Sequence, residues 1–158
     1  MESVSGEFNN HFDTGVIGSC IVTLDDIDFI HHGGTGAAFP AGVHKVGRRS
    51  LGQLSQRTYE RWVTGASVFI RRELIEMIGL MDENLVNYGS DSDYCFRART
   101  ANFKVVYLPT VVVRHAVGQS ANPSPNQERQ IKADMLYFSI KWVNGKLFHD
   151  LENEVFDG

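Results

Sequence analysis

Two carboxylates, Asp91 and Asp93, open a helical run directly after Tyr88-Gly89. A carboxylate on a glycine-hinged helix start is placed to take the proton of a substrate hydroxyl, as a general base must. Acids also favour the first turn for a purely structural reason, because the helix macrodipole stabilises negative charge there by about 0.3–1 kcal/mol. His115 closes the apolar run Val111-Val-Val-Arg-His115. The carboxyl end of a strand is where ligands sit on α/β sheets, and imidazole is a common ligand for divalent ions. The plainer reading of a lone histidine is a packed, hydrogen-bonded side chain. His31 and His32 are a second imidazole pair, but neighbours on a strand point to opposite faces, so one of the two is expected to be structural. Asp25-Asp26-Ile27-Asp28 has the look of an Asp-x-Asp metal motif. Its position between two strand-like runs makes it a solvated hairpin turn, and it is set aside as a metal site.

The elements that must position these residues follow from pattern. Gly15 to Leu24 is rich in β-branched residues and reads as a buried strand. Asp25-Asp26 turns the chain into a second strand, Ile27 to His32, which ends at Gly33-Gly34. Residues 33–57 show no periodicity and read as a long loop. Tyr59 to Ile70 is strand-like and broken by Gly65, and Arg72 to Ile78 is a short helix stopped by Gly79. Ser90 and Asp93 form a Ser-x-x-Asp capping signature for the next helix, which Asn102 can end. Phe103 to Leu108 and Thr110 to Ala116 read as two strands parted by Pro109. After Pro123 and Pro125, from about residue 126, Ile131, Met135, Phe138 and Trp142 form one stripe of an amphipathic helix. Residues 1–14 are expected to be an irregular lead-in, 15–150 one domain, and 151–158 a tail.

Composition narrows the class. A chain of 158 residues, 42% hydrophobic and 22% charged, suits a single globular domain with a real core. Its net charge of −4 argues against nucleic-acid binding, which rests on clustered positive charge. The two cysteines, Cys20 and Cys95, form neither a disulfide framework nor a metal spacing, which fits reduced thiols and a cytoplasmic setting. No run approaches the roughly 18 apolar residues of a membrane span, and the N-terminus lacks a secretory signal pattern. Mixed strands and helices in this order give an α/β or α+β fold.

Four blocks in order carry a resemblance. Phe29-Ile-His-His-Gly-Gly34 is similar to a "QHaG" segment, and Val63-Thr-Gly-Ala-Ser-Val-Phe-Ile-Arg-Arg-Glu-Leu74 to "vTGAcllirrel". Ile78-Gly-Leu-Met-Asp-Glu83 is similar to "vGGFDE", with Leu80-Met81 in place of Gly-Phe. Asp91-Ser-Asp-Tyr-Cys-Phe-Arg97 matches "DvDlClR", preceded by Ser90 where many relatives carry Glu or Asn. This fourth block continues through Asn102 to Pro109, and on to His115 and Ser120, in a stretch similar to "GyrvvyvPeavvyHheS". Together these blocks, spread over residues 15–145, resemble the C-terminal part of glycosyltransferase family 2, enzymes of the GT-A fold.

The resemblance implies an α/β, partial GT-A-like fold: a mixed sheet with flanking helices, lacking the N-terminal nucleotide-binding half. It implies an inverting transfer of sugar, of hexosyl or rhamnosyl type, from a nucleotide-sugar donor to a sugar or lipid-linked acceptor, in surface polysaccharide or glycoconjugate synthesis. Asp91 takes the position of the catalytic base. Thr64, Gly65 and Ala66 line the floor of the site, Asp82 and Glu83 the acceptor loop, and Asp93 is a further substrate-binding residue, with Arg97 pairing to it at i,i+4 to hold the helix start. His115 takes the position of a metal ligand near the diphosphate. The implied cofactor is a divalent ion, Mn or Mg, with most of its ligands outside this sequence. A strand starting near Val16 would then border an unfilled sheet position, calling for a homodimer or a separate N-terminal half. The expected location is cytoplasmic, with a peripheral stay at the inner membrane face where the acceptor is lipid-linked. The competing expectation is a non-catalytic module that binds sugar or a protein partner.

Overall fold

A computed structural model describes residues 3–36, 43–48, 52–86, 88–116 and 123–143. The tail at 151–158 and Ser120 lie outside the described residues. The chain opens with helix α1 (Val4–Asn10), capped by Ser3, whose Oγ accepts from Gly6 N at 3.1 Å. Residues read from sequence as an irregular lead-in are therefore partly helical. Long-range contacts hold α1 in place: Glu7 is fully buried and accepts hydrogen bonds from Thr14 Oγ1 (2.8 Å), Arg57 Nε (2.8 Å) and Arg57 Nη2 (2.6 Å). Arg71 adds bonds to the carbonyls of His11 and Thr14.

Strand β1 (Thr14–Thr23) is the spine of the sheet and is buried over nearly its whole length. Its first half pairs antiparallel with β7 (Val68–Ile70), and its second half with β2 (Phe29–His32), across a bulge. Its other edge pairs parallel with β8 (Lys104–His115). The expectation of an unfilled position beside Val16 is thus corrected: Val16 has Ile70 on one side and Val105 on the other. Beyond these, β5 (Gly47–Arg48) extends β2 and β6 (Thr58–Glu60) pairs antiparallel with β8. A separate ribbon joins β3 (Thr35–Gly36) to β4 (Val43–His44). Part of the segment read as a loop, 33–57, thus carries short strands and a 3-10 turn at Gly52–Ser55. These strands are too short to show a period in sequence.

The hairpin at Asp25-Asp26 is as expected. Asp28 N donates to Asp26 Oδ1 (3.0 Å), and Thr23 Oγ1 bonds the Asp26 carbonyl (2.9 Å). Pro109, in contrast, does not end a strand. Leu108 pairs with Ser19 and Val112 with Cys20, so Pro109, Thr110 and Val111 bulge out of one continuous β8. A bulge is where a residue without an N–H donor is tolerated inside a sheet.

Helices α2 (Arg72–Ile78), α3 (Ser90–Thr100) and α4 (Pro125–Val143) flank the sheet. Val16, Val63, Leu74, Tyr94, Phe96, Val105 and Phe138 form the main core cluster, and Cys20, Val22, Ile30, Leu54 and Tyr107 a second. Asn102 stops α3 in the left-handed region (φ 63°), with Phe103 N reaching back to the Ala98 carbonyl at 3.0 Å. A Ser-x-x-Gln box starts α4, in which Ser124 N donates to Gln127 Oε1 at 2.8 Å. The buried face of α4 is offset from the expected stripe: Asp134 and Phe138 are buried, while Met135 is 38% exposed.

The buried Glu7 makes folding acid-sensitive. Burial by itself drives its carboxyl upward. The hydrogen bonds and charge of Arg57, with the Thr14 bond, outweigh that and bring it from 4.5 down to about 2. A depressed folded value means the stabilisation is complete above pH 4.5 and is lost as pH falls toward 2. The amount is on the order of 3 kcal/mol. Urea unfolding at pH 6 and pH 3 is expected to show this loss in the native chain and a much smaller one in Glu7→Gln.

Candidate active site

Helix α3 points its N-terminus at the turn that follows Val63. Its cap is Gly89, in the left-handed region (φ 80°), and Ser90 is already the first helical residue with no side-chain cap bond. This corrects the capping box read from Ser90 and Asp93. Only a glycine takes that conformation cheaply, and a Cβ there would also stand 3.2 Å from the Phe138 ring. Asp91 Oδ2 accepts from Gly65 N at 2.8 Å, and its Oδ1 accepts from Ser92 N at 2.8 Å. Thr64 is half-buried, Gly65 and Ala66 are exposed, and Asp91 is half-buried. Thr64, Gly65, Ala66 and Asp91 therefore form one open surface with the carboxylate fixed at its edge. Thr64 N approaches His32 Nε2 at 3.5 Å, which carries this chain of contacts to the β1–β2 junction.

Asp93 lies two residues further along α3, on the opposite side of the helix, and its burial corrects the expectation that it binds substrate. It is fully buried; Oδ2 accepts from Arg97 Nε (3.0 Å), and Oδ1 from Lys141 Nζ (2.8 Å) and Trp142 Nε1 (3.0 Å). The i,i+4 pair with Arg97 expected from sequence is present. Lys141 also bonds Asp82 Oδ2 at 2.7 Å, and Tyr137 donates to the same oxygen at 2.9 Å. The Lys141 bond is the largest of several that hold the Asp82 carboxyl well below the usual range. For Lys141, burial works downward, but Asp82 and Asp93 together raise it above an ordinary lysine. Glu83 is exposed on the turn beside Asp82. Helix α4 thus ties the Asp82 turn to the helix that carries Asp91. A further tie runs from Tyr88 N to the buried Asp134 Oδ2 at 2.9 Å.

Tyr88 is a site neighbour that sequence reasoning passed over. Burial raises its phenol, and the nearby Asp91 carboxylate adds to the shift. Its place next to Gly89 was the available signal. Cys95, on the buried side of α3, donates weakly to the Val63 carbonyl at 4.0 Å, and burial pushes its thiol up to about 12. A thiol so protonated and enclosed is a poor nucleophile. Cys95 is expected to stay unmodified by iodoacetamide at pH 8 in the folded chain and to label fully in urea, read by intact mass.

His115 pairs in the β ladder with Thr23, at the carboxyl end of the parallel β1–β8 pair. Its Nδ1 is buried with no hydrogen-bond partner. Burial lowers His31, and the neighbouring His115 lowers it further. His32 is buried against Trp62, with ring centroids 5.9 Å apart, and is the structural member of its pair. Among the described residues, no three His, Cys, Asp or Glu side chains come together to hold a metal. The two imidazoles fall short of the oxygen-rich shell a hard divalent cation takes. The described residues by themselves therefore do not fit such an ion.

A mixed sheet with flanking helices and a carboxylate above a glycine turn makes this a partial GT-A-like fold. The chain belongs to the family described as glycosyltransferase like family 2, whose pattern it matches over residues 17–132. No curated protein matches the chain. Glycosyl transfer is the general function of this family, with a nucleotide-sugar donor and an acceptor as its substrates. Among the described residues, no helix is long and apolar enough to cross a membrane.

Proposed function

We propose that this chain provides the acceptor and base side of an inverting glycosyltransferase that builds a polysaccharide or glycoconjugate. The observation that carries the reading is Asp91, its Oδ2 held 2.8 Å from Gly65 N at the rim of an exposed turn. A carboxylate fixed by a backbone N–H keeps one orientation, and its remaining lone pairs accept the hydroxyl proton of the acceptor. Proton removal as the hydroxyl oxygen attacks the anomeric carbon, with the nucleoside diphosphate leaving on the opposite face, gives inversion. Thr64, Gly65 and Ala66 form the floor under the sugar, Asp82 and Glu83 line the acceptor approach, and Asp93 positions the helix. His115 lies toward the diphosphate. Donor contacts and the remaining ligands of a divalent ion, Mn or Mg, come from residues other than those described, whether on the same polypeptide or on a partner.

Gly65 gives a test that separates site from scaffold. A Cβ built on it would lie 3.5 Å from Asp91 Cβ, an ordinary contact, so Gly65→Ala leaves the fold intact. It does place a methyl group on the floor. In the enzyme assembled with its donor-binding portion, Gly65→Ala is expected to raise the acceptor KM about tenfold, with Tm unchanged. An unaltered KM across a panel of acceptors would place the sugar elsewhere.

A further inference from the structure

Tyr88 stands where the chain enters α3, with a hydroxyl that the fold does not use. Its backbone is pinned from behind. Tyr88 N donates to Oδ2 of Asp134 at 2.9 Å, and Asp134, on α4, is 1% exposed. The next residue, Gly89, is backed by the Phe138 ring, 3.2 Å from where a Cβ would stand. Tyr88 itself is half-buried, and among the described residues nothing hydrogen-bonds its hydroxyl. Tyrosine hydroxyls taken out of water usually have a partner.

The position of Asp91 gives this hydroxyl a use. Burial raises the Tyr88 phenol and the Asp91 carboxylate is close enough to raise it further, yet the two groups do not bond to each other. Space therefore separates them at the rim of the Thr64–Ala66 turn. Each Asp91 oxygen is oriented by a backbone N–H, from Gly65 and from Ser92, both at 2.8 Å. An ionised carboxylate only accepts, whereas a protonated phenol also donates. A donor and an acceptor set apart in this way match two neighbouring oxygens of one molecule. One is a hydroxyl that gives its proton to Asp91, and the other takes the hydrogen bond of Tyr88. The ring body can cover C–H surface at low entropic cost, because tyrosine has only two side-chain torsions to fix.

We propose that Tyr88 is a specificity-determining residue for the acceptor, selecting a sugar with an oxygen on the carbon next to the attacking hydroxyl. The inference rests on the reading of the Asp91 surface as the acceptor side. It adds the feature read there, a vicinal pair of oxygens shared between Asp91 and Tyr88.

Saturation-transfer NMR titrations of the full chain with the methyl glycosides of glucose, galactose, mannose, rhamnose and N-acetylglucosamine test it. At least one glycoside is expected to bind. Tyr88→Phe should raise its Kd about fivefold with Tm unchanged, as loss of one neutral hydrogen bond gives. One monodeoxy form of that glycoside should lose the same factor on the native chain and nothing more on Tyr88→Phe, because both changes remove a single bond. A packing role for Tyr88 would not produce this non-additivity. Equal affinity in native and Tyr88→Phe chains, with Gly65→Ala still weakening binding, overturns the role of Tyr88 and leaves the acceptor surface standing. Additive losses with every monodeoxy form overturn it in the same way. No binding of any glycoside, or binding that neither variant alters, overturns the acceptor surface itself and this inference with it.

Discussion

Asp91→Asn is expected to lower sugar transfer by about 10²–10⁴-fold, the range a positioned general base supplies. The substitution keeps the size of the side chain and one carbonyl oxygen to accept from Gly65 N, so the turn at Thr64–Ala66 stays in place, while the bond from Ser92 N to the second oxygen is given up. What it removes is a charged oxygen able to carry the acceptor proton. Binding of the nucleoside diphosphate, measured by calorimetry in the assembled enzyme, should remain close to native, because the donor does not need the base. The expected pattern is a fall in kcat with donor affinity nearly unchanged and stability lowered only by the one lost helix-start bond, about 1 kcal/mol. The same variant distinguishes the competing reading of a non-catalytic module, in which Asp91 is only a helix-start acid. Turnover retained in Asp91→Asn would remove Asp91 from the chemistry.

The second large effect is on stability. Asp93 is fully buried and joins Arg97, Lys141 and Trp142. Asp93→Ala leaves the Lys141 ammonium and the Arg97 guanidinium without their shared carboxylate, and leaves Trp142 Nε1 without its acceptor. Breaking a buried ion pair from one side costs about 3–5 kcal/mol. For a chain of this size that is a fall in Tm on the order of 10 °C. Lys141→Met is expected to cost less, because Asp93 keeps Arg97 and Trp142. Its loss also takes the ammonium from Asp82, which keeps Tyr137 and Asn84, so hydrogen exchange at Leu85 N, which donates to the Asp82 carbonyl at 3.1 Å, should rise. Equal Tm in native and Asp93→Ala chains would show that the network adds nothing to the fold.

The two aspartates stand two residues apart, and sequence gave them neighbouring roles at the substrate. The structure separates them by a property that sequence spacing cannot express. Asp91 faces the exposed Gly65 turn, while Asp93, 200° further round the helix at 100° per residue, faces α4. Its partners Lys141 and Trp142 are nearly fifty residues away along the chain. Likewise, Ser90 satisfied a local capping pattern, yet Phe138 and the left-handed Gly89 set where α3 begins.

Local chemistry was enough for the elements whose signals are local: the β-branched run of β1, the Asp26 turn, the Gly79 and Asn102 stops, and the i,i+4 pair of Asp93 with Arg97. These depend on backbone propensity and on side chains within one or two turns. It was also enough, through four ordered blocks, for the family. Tertiary structure alone decided the rest. It made Pro109 a bulge because β1 pairs on both sides of it, and it gave α1 an anchor because Arg57 reaches Glu7 across fifty residues. Burial and charge pairing between distant segments depend on how the chain closes on itself, which no short window of sequence contains.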